Sequence, residues 1–432
     1  MIIESLYKIY LEHPQISTDT RKISKGCIFF ALKGDNFDAN TFAAQALESG
    51  AAYAVIDNEE YEQGNNYILV KDVLTTLQDL ARYHRKQLTI PFIGITGTNG
   101  KTTTKELMRS VLSQRFSTYA TIGNLNNHIG VPLTILSITP DIEIAIIEMG
   151  ANHQQEIAFL CGIAHPTHGL ITNVGKAHLE GFGGFEGVKK GKGELYDFLK
   201  IFNGTAFINQ ENEHLTQMSK FRNLQKIVGY GNAEGSQLKG RIIENNPLLT
   251  VNWIYRGEDY IVKTGLTGIY NLENILAAIC VGLHFGLNSA EINTGIELYL
   301  PGNNRSQVSK TERNTLICDY YNANPSSMVV ALENFHNIKA DKKVLILGDM
   351  FELGEESAEE HIAVLKKAAD TPADNRIFIG KQFFAQKGNF NADFFESTDD
   401  AAKALRKQEL TGATILIKGS RGMRLEQLAG LL

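Results

Sequence analysis

The sequence predicts an α/β protein of three domains, on three observations. Short, continuous apolar segments alternate with helical spacing along most of the chain, the pattern of parallel sheets covered on both faces. A glycine-rich turn, GITGTNGKTTTK at 94–105, stands between one such segment and a helix, and Pro-Gly-Asn-Asn at 301–304 interrupts the alternation before it resumes. The 432 residues agree with this division, since roughly 150 residues per domain gives about three.

Taken in order, residues 1–85 mix the strands CIFFAL, AAYAVI and NYILV with one helix, TFAAQALESGA, and make a small α/β module. Residues 86–300 form the central domain, with FIGIT, IAIIEM, HGLIT and TAFIN as parallel strands. A more polar stretch, 205–265, interrupts it before the strong helix NLENILAAICVGLHFGL closes the unit. Residues 301–432 begin a second, Rossmann-like alternation: TLICDY, KVLIL, RIFI and TILIK are separated by helices such as SMVVALENFHN and AEEHIAVLKKAAD. Ligands of such sheets bind at the carboxyl ends of the strands, so a cleft walled by all three domains is expected.

Composition narrows the partners. With 42 Lys and Arg against 48 Asp and Glu, the formal charge is −6, which leaves no electrostatic footprint for nucleic acid or an acidic membrane. Cys27, Cys161, Cys280 and Cys318 lie far apart, in neither a zinc pattern nor a disulfide framework, as suits a reducing cytosol. The start, MIIESLYKIYLEHPQ, carries charges throughout, and no segment approaches ~20 uncharged apolar residues. Neither an export signal nor a membrane span is expected, and the predicted location is cytoplasmic.

The glycine-rich turn is the strongest chemical signal. At the start of a helix, free backbone N–H groups and the positive end of the dipole face an anion, and glycine lets it approach. The glycines are Gly94, Gly97 and Gly100, so the loop departs from G-x-x-x-x-G-K-[ST], yet it ends in Gly-Lys-Thr. Lys101 can place a point charge on terminal phosphates, and the Thr102 hydroxyl can ligate magnesium.

Other polar residues gather at strand ends. Glu148 ends IAIIEM, where a carboxylate could share the magnesium with Thr102; the alternative is a glutamate facing solvent. His178 follows the next strand, in NVGKAHLEGFG. EGVKKGKGE carries three lysines on what is otherwise a solvated helix face; one of them could face a metal after carbamylation by CO2, and periodicity does not select it. Asn271 and Asn274 share a helix face and suit an adenine edge, unless Asn271 merely caps the helix. Arg305, at the domain junction, could reach a γ-phosphate when the cleft closes.

Together these motifs resemble the Mur ligase family, ATP-dependent amide-forming enzymes of peptidoglycan synthesis. The resemblance rests on STDTR (17–21), FFALKGDNFDANTF (29–42), GITGTNGKTTTKE (94–106), GNLNNHIGVPLT (123–134), IEMGANH (147–153) and NVGKAHLEGFG (173–183). It continues through KGKGE (190–194), YNLENILAA (270–278), DYYNANPSSM (319–328), LGDMFELG (347–354) and KGSRGMRLE (418–426), nearly the whole chain in order. GNLNNHIGVP, YNANPSSM and LGDMFELG are particular to the branch that adds D-alanyl-D-alanine.

The resemblance implies an ATP-dependent ligase joining D-alanyl-D-alanine to UDP-N-acetylmuramoyl-tripeptide through an acyl phosphate, acting as a monomer in cell-wall synthesis. It implies ATP held by Gly97, Thr98, Asn99, Gly100, Lys101, Thr102 and Thr103, with Asn271 and Asn274 at adenine, Arg305 at phosphate and Asp319 at ribose. It implies two magnesium ions, one on Thr102 and Glu148, the other on His178 and a carbamylated Lys192. The first domain would hold uridine diphosphate, with Ser17 and Thr18 near the nucleotide and Asn40 where the family commonly has histidine. Asn126, Asn127 and His128 would line the muramoyl-peptide path, and Ser420 with Arg421 would take the dipeptide carboxylate. Two other readings of the phosphate loop are a folylpolyglutamate-synthase-like amide ligase and a nucleotide-driven switch or ATPase without ligase chemistry.

Overall fold

The computed structural model describes residues 3–176, 179–302, 304–408 and 410–432. His178, expected at a metal, lies outside the described residues.

Five sheets organise the described residues. The first has the parallel order β1-β2-β5-β6, from β1 (Ile16–Ser17), β2 (Ile28–Phe30), β5 (Tyr53–Ile56) and β6 (Tyr67–Leu69). A small hairpin of β3 (Lys33–Gly34) and β4 (Phe37–Asp38) stands beside it. The second large sheet is also wholly parallel, in the order β12-β11-β10-β7-β9-β8. Its strands are β7 (Phe92–Thr96), β8 (Thr118–Ala120), β9 (Ile144–Glu148), β10 (His168–Ile171), β11 (Thr205–Asn209) and β12 (Ile227–Tyr230). Every residue of β7 and β9 is buried, as expected of central strands covered on both faces.

The polar stretch contains more order than its composition suggests. After β12 the chain forms an antiparallel sheet of β13 (Leu238–Asn245), β14 (Leu249–Tyr255) and β15 (Glu258–Lys263). Leu249, Val251 and Trp253 alternate inward on β14, and Trp253 stacks on Tyr260 at 4.2 Å while its Nε1 donates to Asn293 Oδ1 at 2.9 Å. This sheet packs on helix Asn271–His284, which in turn packs on helix Lys101–Leu112.

The last sheet has the order β16-β17-β21-β18-β19-β20. It comprises β16 (Gln307–Lys310), β17 (Thr315–Asp319), β18 (Lys343–Gly348), β19 (Asn375–Ile379), β20 (Asp393–Phe395) and β21 (Thr414–Lys418), parallel except for β16 at one edge.

The sheets are joined in two different ways. Leu6, Tyr10, Leu77 and Leu80 of helices Ile3–Glu12 and Val73–Gln87 lie in one continuous apolar cluster with Val131, Ile135, Ile147, Ile157 and Leu160. Arg85 reinforces that seam, its Nε donating to Ala164 O at 2.8 Å and its guanidinium lying 3.7 Å from the Phe92 ring centre. The last sheet keeps its own two apolar clusters, with no residue before 316. Its links to the rest among the described residues include Asn99 to Asn324 and Ser326, Asn245 to Asn334, and Lys176 to Glu360 at 3.9 Å.

Candidate active site

The glycine-rich turn connects β7 to helix Lys101–Leu112 at the carboxyl edge of the second sheet. Gly97 and Gly100 have φ of +144° and +79°, a region that side chains disfavour. A Cβ on Gly97 would collide with Thr172, and one on Gly100 would stand 2.6 Å from Asn274 Oδ1. The turn is pinned from the neighbouring strand: Asn99 N–H donates to Asn173 Oδ1 at 2.9 Å and Thr98 N–H to Asn173 O at 3.0 Å.

A cavity of about 1010 Å³ opens over this turn. It brings together Gly97, Thr98, Asn99, Gly100, Lys101 and Thr103 with Glu148, Lys192, Asn271 and Asn274 from the second sheet's surroundings. Arg305 and Asp319 face it from the side of the last sheet, and Asn126, Asn127 and His128 form one flank. Its lining contains no residue before Gly97, so in this arrangement the first sheet does not wall it. The apolar seam fixes that geometry, and contact with the first module passes through Gln78 Nε2, which donates to His128 O at 3.0 Å.

Lys101 Nζ turns back on its own loop, donating to Gly97 O at 2.6 Å and Thr98 O at 3.0 Å. Burial lowers its proton affinity from an ordinary 10.5 to about 8; Glu148 opposes the change and Arg305 adds to it. Thr102 sits just behind the cavity, its Oγ1 donating to Glu148 Oε2 at 3.0 Å, while Asn126 Nδ2 donates to Oε1 at 2.8 Å. Glu148 is therefore a buried, oriented carboxylate and not a solvent-facing strand end. No group of three or more His, Cys, Asp or Glu among the described residues could hold a metal ion. The pair of hard oxygens on Thr102 and Glu148 fits magnesium, whose remaining ligands are typically phosphate and water.

Of the three lysines in EGVKKGKGE, on helix Phe185–Ile201, Lys190 is exposed and Lys189 pairs with Glu186 at 2.5 Å. Lys192 is buried, its Nζ donating to Ala151 O at 3.2 Å. Burial and then Lys101 lower its proton affinity to about 7, against Glu156 and Glu194. An amine with so large a free-base fraction near neutral pH fits carbamylation, because only the free base attacks CO2.

Asn271 does not cap its helix. It is the first helical residue, and Asn271 Nδ2 donates to Thr267 O at 2.7 Å while Asn274 Nδ2 donates to Asn271 Oδ1 at 2.8 Å. Thr104 Oγ1 donates in turn to Asn274 Oδ1 at 2.9 Å, tying two helices together. Arg305 lies 3.8 Å from the Tyr321 ring centre, and its buried Nε lacks a partner. Asp319 is engaged on both oxygens: Oδ2 takes Lys418 Nζ at 2.6 Å and Oδ1 takes Ser306 N–H at 3.2 Å.

The remaining selected residues lie apart from the cavity lining. Ser17 Oγ donates to Asp19 O at 3.0 Å, and Thr18 is half-buried beside it. Asn40 is buried, with Nδ2 donating to Asp38 Oδ1 at 2.7 Å and Asp57 Oδ1 at 2.9 Å and Oδ1 accepting from Asp57 N–H at 3.0 Å. Ser420 is buried and accepts from Phe351 N–H at 3.0 Å, whereas Arg421 is exposed, 5.3 Å from the Tyr321 ring centre. A second cavity of about 670 Å³ lies over β18 and β19, lined by Asp349, Phe351, Lys381 and Arg424 among others and by none of the selected residues.

Three residues of the site escaped selection from sequence. Lys105, fully buried, lies 3.8 Å from Glu148 Oε2 and donates to Thr121 O; its place one helical turn after Lys101 was the available signal. Asn173 stands directly beyond the end of β10, where strand-end position could have marked it. Lys418 declares itself only through Asp319, 99 residues away.

Comparison with known proteins finds relatives along nearly the whole chain. The family models for the Mur ligase family catalytic domain, the Mur ligase middle domain and the Mur ligase glutamate ligase domain match residues 14–85, 95–282 and 304–421. The UDP-N-acetylmuramoyl-tripeptide--D-alanyl-D-alanine ligase of Escherichia coli (strain K12) is 34% identical over 428 residues, covering 96% of this chain and 93% of that protein. A crystal structure of MurF from Acinetobacter baumannii superposes with a TM-score of 0.86 at 30% identity, over 96% of this chain and 92% of that one. The MurF ligase of Thermotoga maritima in complex with ADP gives 0.84 at 26% identity, over 96% of each chain. With the glycine-rich turn, the buried strand-end carboxylate and all three family domains in sequence order, the chain belongs to the Mur ligase family.

Proposed function

We infer that this chain is an ATP-dependent ligase that adds D-alanyl-D-alanine to UDP-N-acetylmuramoyl-tripeptide in peptidoglycan precursor synthesis. The observation that carries the reading is the shared cavity in which Lys101 and Glu148, beside the second large sheet, face Arg305 and Asp319, beside the last. The loops of residues 1–85 receive the uridine diphosphate, residues 86–300 the ATP, and residues 301–432 close over it and bring the dipeptide. All of this takes place in the cytoplasm, on a monomer.

In the first step a carboxylate oxygen of the tripeptide attacks the γ-phosphorus of ATP, the bond to the bridging oxygen breaks, and ADP leaves. In the second, the free amine of D-alanyl-D-alanine attacks the acyl carbon, inorganic phosphate departs, and the nitrogen loses its proton. Two anions meet at the outset, so the protein must offset their repulsion. Lys101 exchanges its two loop carbonyls for phosphate oxygens, and the amides of Asn99 to Thr103 line the same anion. Magnesium, on Thr102 and Glu148, would neutralise charge on the transferred group, and carbamylated Lys192 with His178 would hold a second ion. Arg305 stabilises the γ-phosphoryl group from the other wall. Asn271 and Asn274 flank the adenine, Asp319 the ribose, and Asn126 to His128 the peptide. Closure excludes the water that would hydrolyse the acyl phosphate.

Phosphate release with each substrate omitted tests the reading. A ligase releases phosphate only with tripeptide and dipeptide both present, and a product of the summed mass less water accumulates. Steady release from ATP alone would instead favour the switch or ATPase reading.

A further inference from the structure

Beyond β17 the chain runs along the cavity wall, and Tyr321 lines it. Two cations from distant parts of the last sheet converge on this one ring. Arg305 comes from the segment before β16, with Cζ 3.8 Å from the ring centre, and Arg421 from the turn after β21, at 5.3 Å. Neither guanidinium has an ion-pair partner among the described residues. Asp319, the strand-end carboxylate two residues from Tyr321, is already occupied by Lys418 and Ser306. The buried Nε of Arg305 makes no hydrogen bond at all. Two like charges gathered on one aromatic ring, one of them with an unsatisfied buried donor, form an arrangement that awaits anions.

We propose that Tyr321 is a positioning residue whose ring registers the phosphate held by Arg305 against the carboxylate of the incoming dipeptide held by Arg421. The proposal rests on the ligase reading above. A ring can do this where a carboxylate could not: it attracts both guanidinium groups by its quadrupole without neutralising either, so each keeps its charge for a substrate. Through this one side chain, movement of either arginine is felt by the other.

The test is steady-state kinetics of Tyr321→Leu and Tyr321→Phe with each of the three substrates varied in turn, alongside melting curves. Removing the ring should raise KM for D-alanyl-D-alanine about tenfold, between the size of an exposed and a desolvated cation–π contact, and lower kcat. KM for UDP-N-acetylmuramoyl-tripeptide should stay within about twofold, a split that general loosening would not give. Phenylalanine should rescue most of the dipeptide KM. Equal losses on all substrates, or phenylalanine as damaging as leucine, would overturn the assignment. If the leucine variant does not fold, Arg305→Lys and Arg421→Lys, singly and together, decide the matter. Coupling through one ring predicts that their combined effect departs at least about threefold from the product of the single effects, and independence within about twofold refutes it. Wild-type enzyme that makes no product fails the ligase reading itself; active wild type with an indifferent leucine variant fails only the role of Tyr321.

Discussion

Replacing Lys101 with methionine should move activity and stability in opposite directions. The ammonium is held at the cavity wall by two carbonyls of its own loop, and burial has lowered its proton affinity from 10.5 to about 8. Each tenfold step in that affinity is worth about 1.4 kcal/mol, so the folded state carries about 3 kcal/mol of strain against this charge. The cavity admits some solvent and two hydrogen bonds are lost on substitution, so the net gain from removing it falls to about 1 kcal/mol. The sign follows from the depressed affinity: the penalty is complete below pH 8 and gone above 10.5, so at pH 7 the methionine variant should be the more stable. Catalysis runs the other way. A preorganised charge on the transferred phosphate is worth roughly 3–4 kcal/mol, or a fall in kcat of about a hundred- to a thousandfold. Urea unfolding at pH 7 and phosphate release with saturating substrates measure the two effects on one preparation. A variant within tenfold of wild-type activity, or one clearly less stable, would refute the reasoning. In the wild type, kcat/KM for ATP should also decline above about pH 8 as the free enzyme loses the Lys101 proton.

Glu148→Gln keeps the hydrogen bond from Thr102 but removes the charge, and should raise the magnesium concentration for half-maximal rate by about tenfold or more, read by metal titration. Asn40→Ala leaves Asp57 N–H and two carboxylate oxygens short of a partner and should cost about 1–3 kcal/mol in urea unfolding, with KM for the UDP substrate rising as the loop loosens. Burial, then His284 and Lys226, hold the His168 imidazole near a proton affinity of about 4, against 6.5. The unfolded chain therefore binds the proton first, and stability present above pH 6.5 should fall by up to about 3 kcal/mol as pH drops toward 4; His168→Phe should flatten that slope in an acid series of urea curves. Small-angle scattering should show a more compact particle with ATP analogue, tripeptide and dipeptide together than without ligands, since the last sheet is free of the shared apolar core.

How much of this was readable in the sequence depended on how locally each feature is encoded. The glycine-rich turn was legible as a turn between strand and helix because strand, glycines, Lys101, Thr102 and helix follow one another within a dozen residues. β7, β9, β10 and β11 were legible because burial on both faces writes itself as an unbroken apolar run. The β13–β15 sheet was not, because β13 and β15 are largely open to solvent and the apolar residues of β14 alternate with the buried polar side chains of Thr250 and Asn252. Edge strands β16 and β20 were lost because they are short, four and three residues, and β16 is mostly polar. Lys192 could not be told from Lys189 and Lys190 by spacing, since only the packing of its helix buries one of them. Tyr321, Arg305 and Arg421 meet across the whole length of the last domain, and nothing local announces such a meeting.

The unequal seams of the molecule bear on how it comes apart. Helices Ile3–Glu12 and Val73–Gln87 share their oil with the second sheet, so the first two-thirds of the polypeptide should melt as a single cooperative block. The remaining third, insulated by amides, hydroxyls and a long lysine–glutamate contact, should keep its own transition in a calorimeter. Nucleotide bridging the cavity would then draw the two peaks together, giving a heat-capacity signature of a seated substrate that needs no turnover.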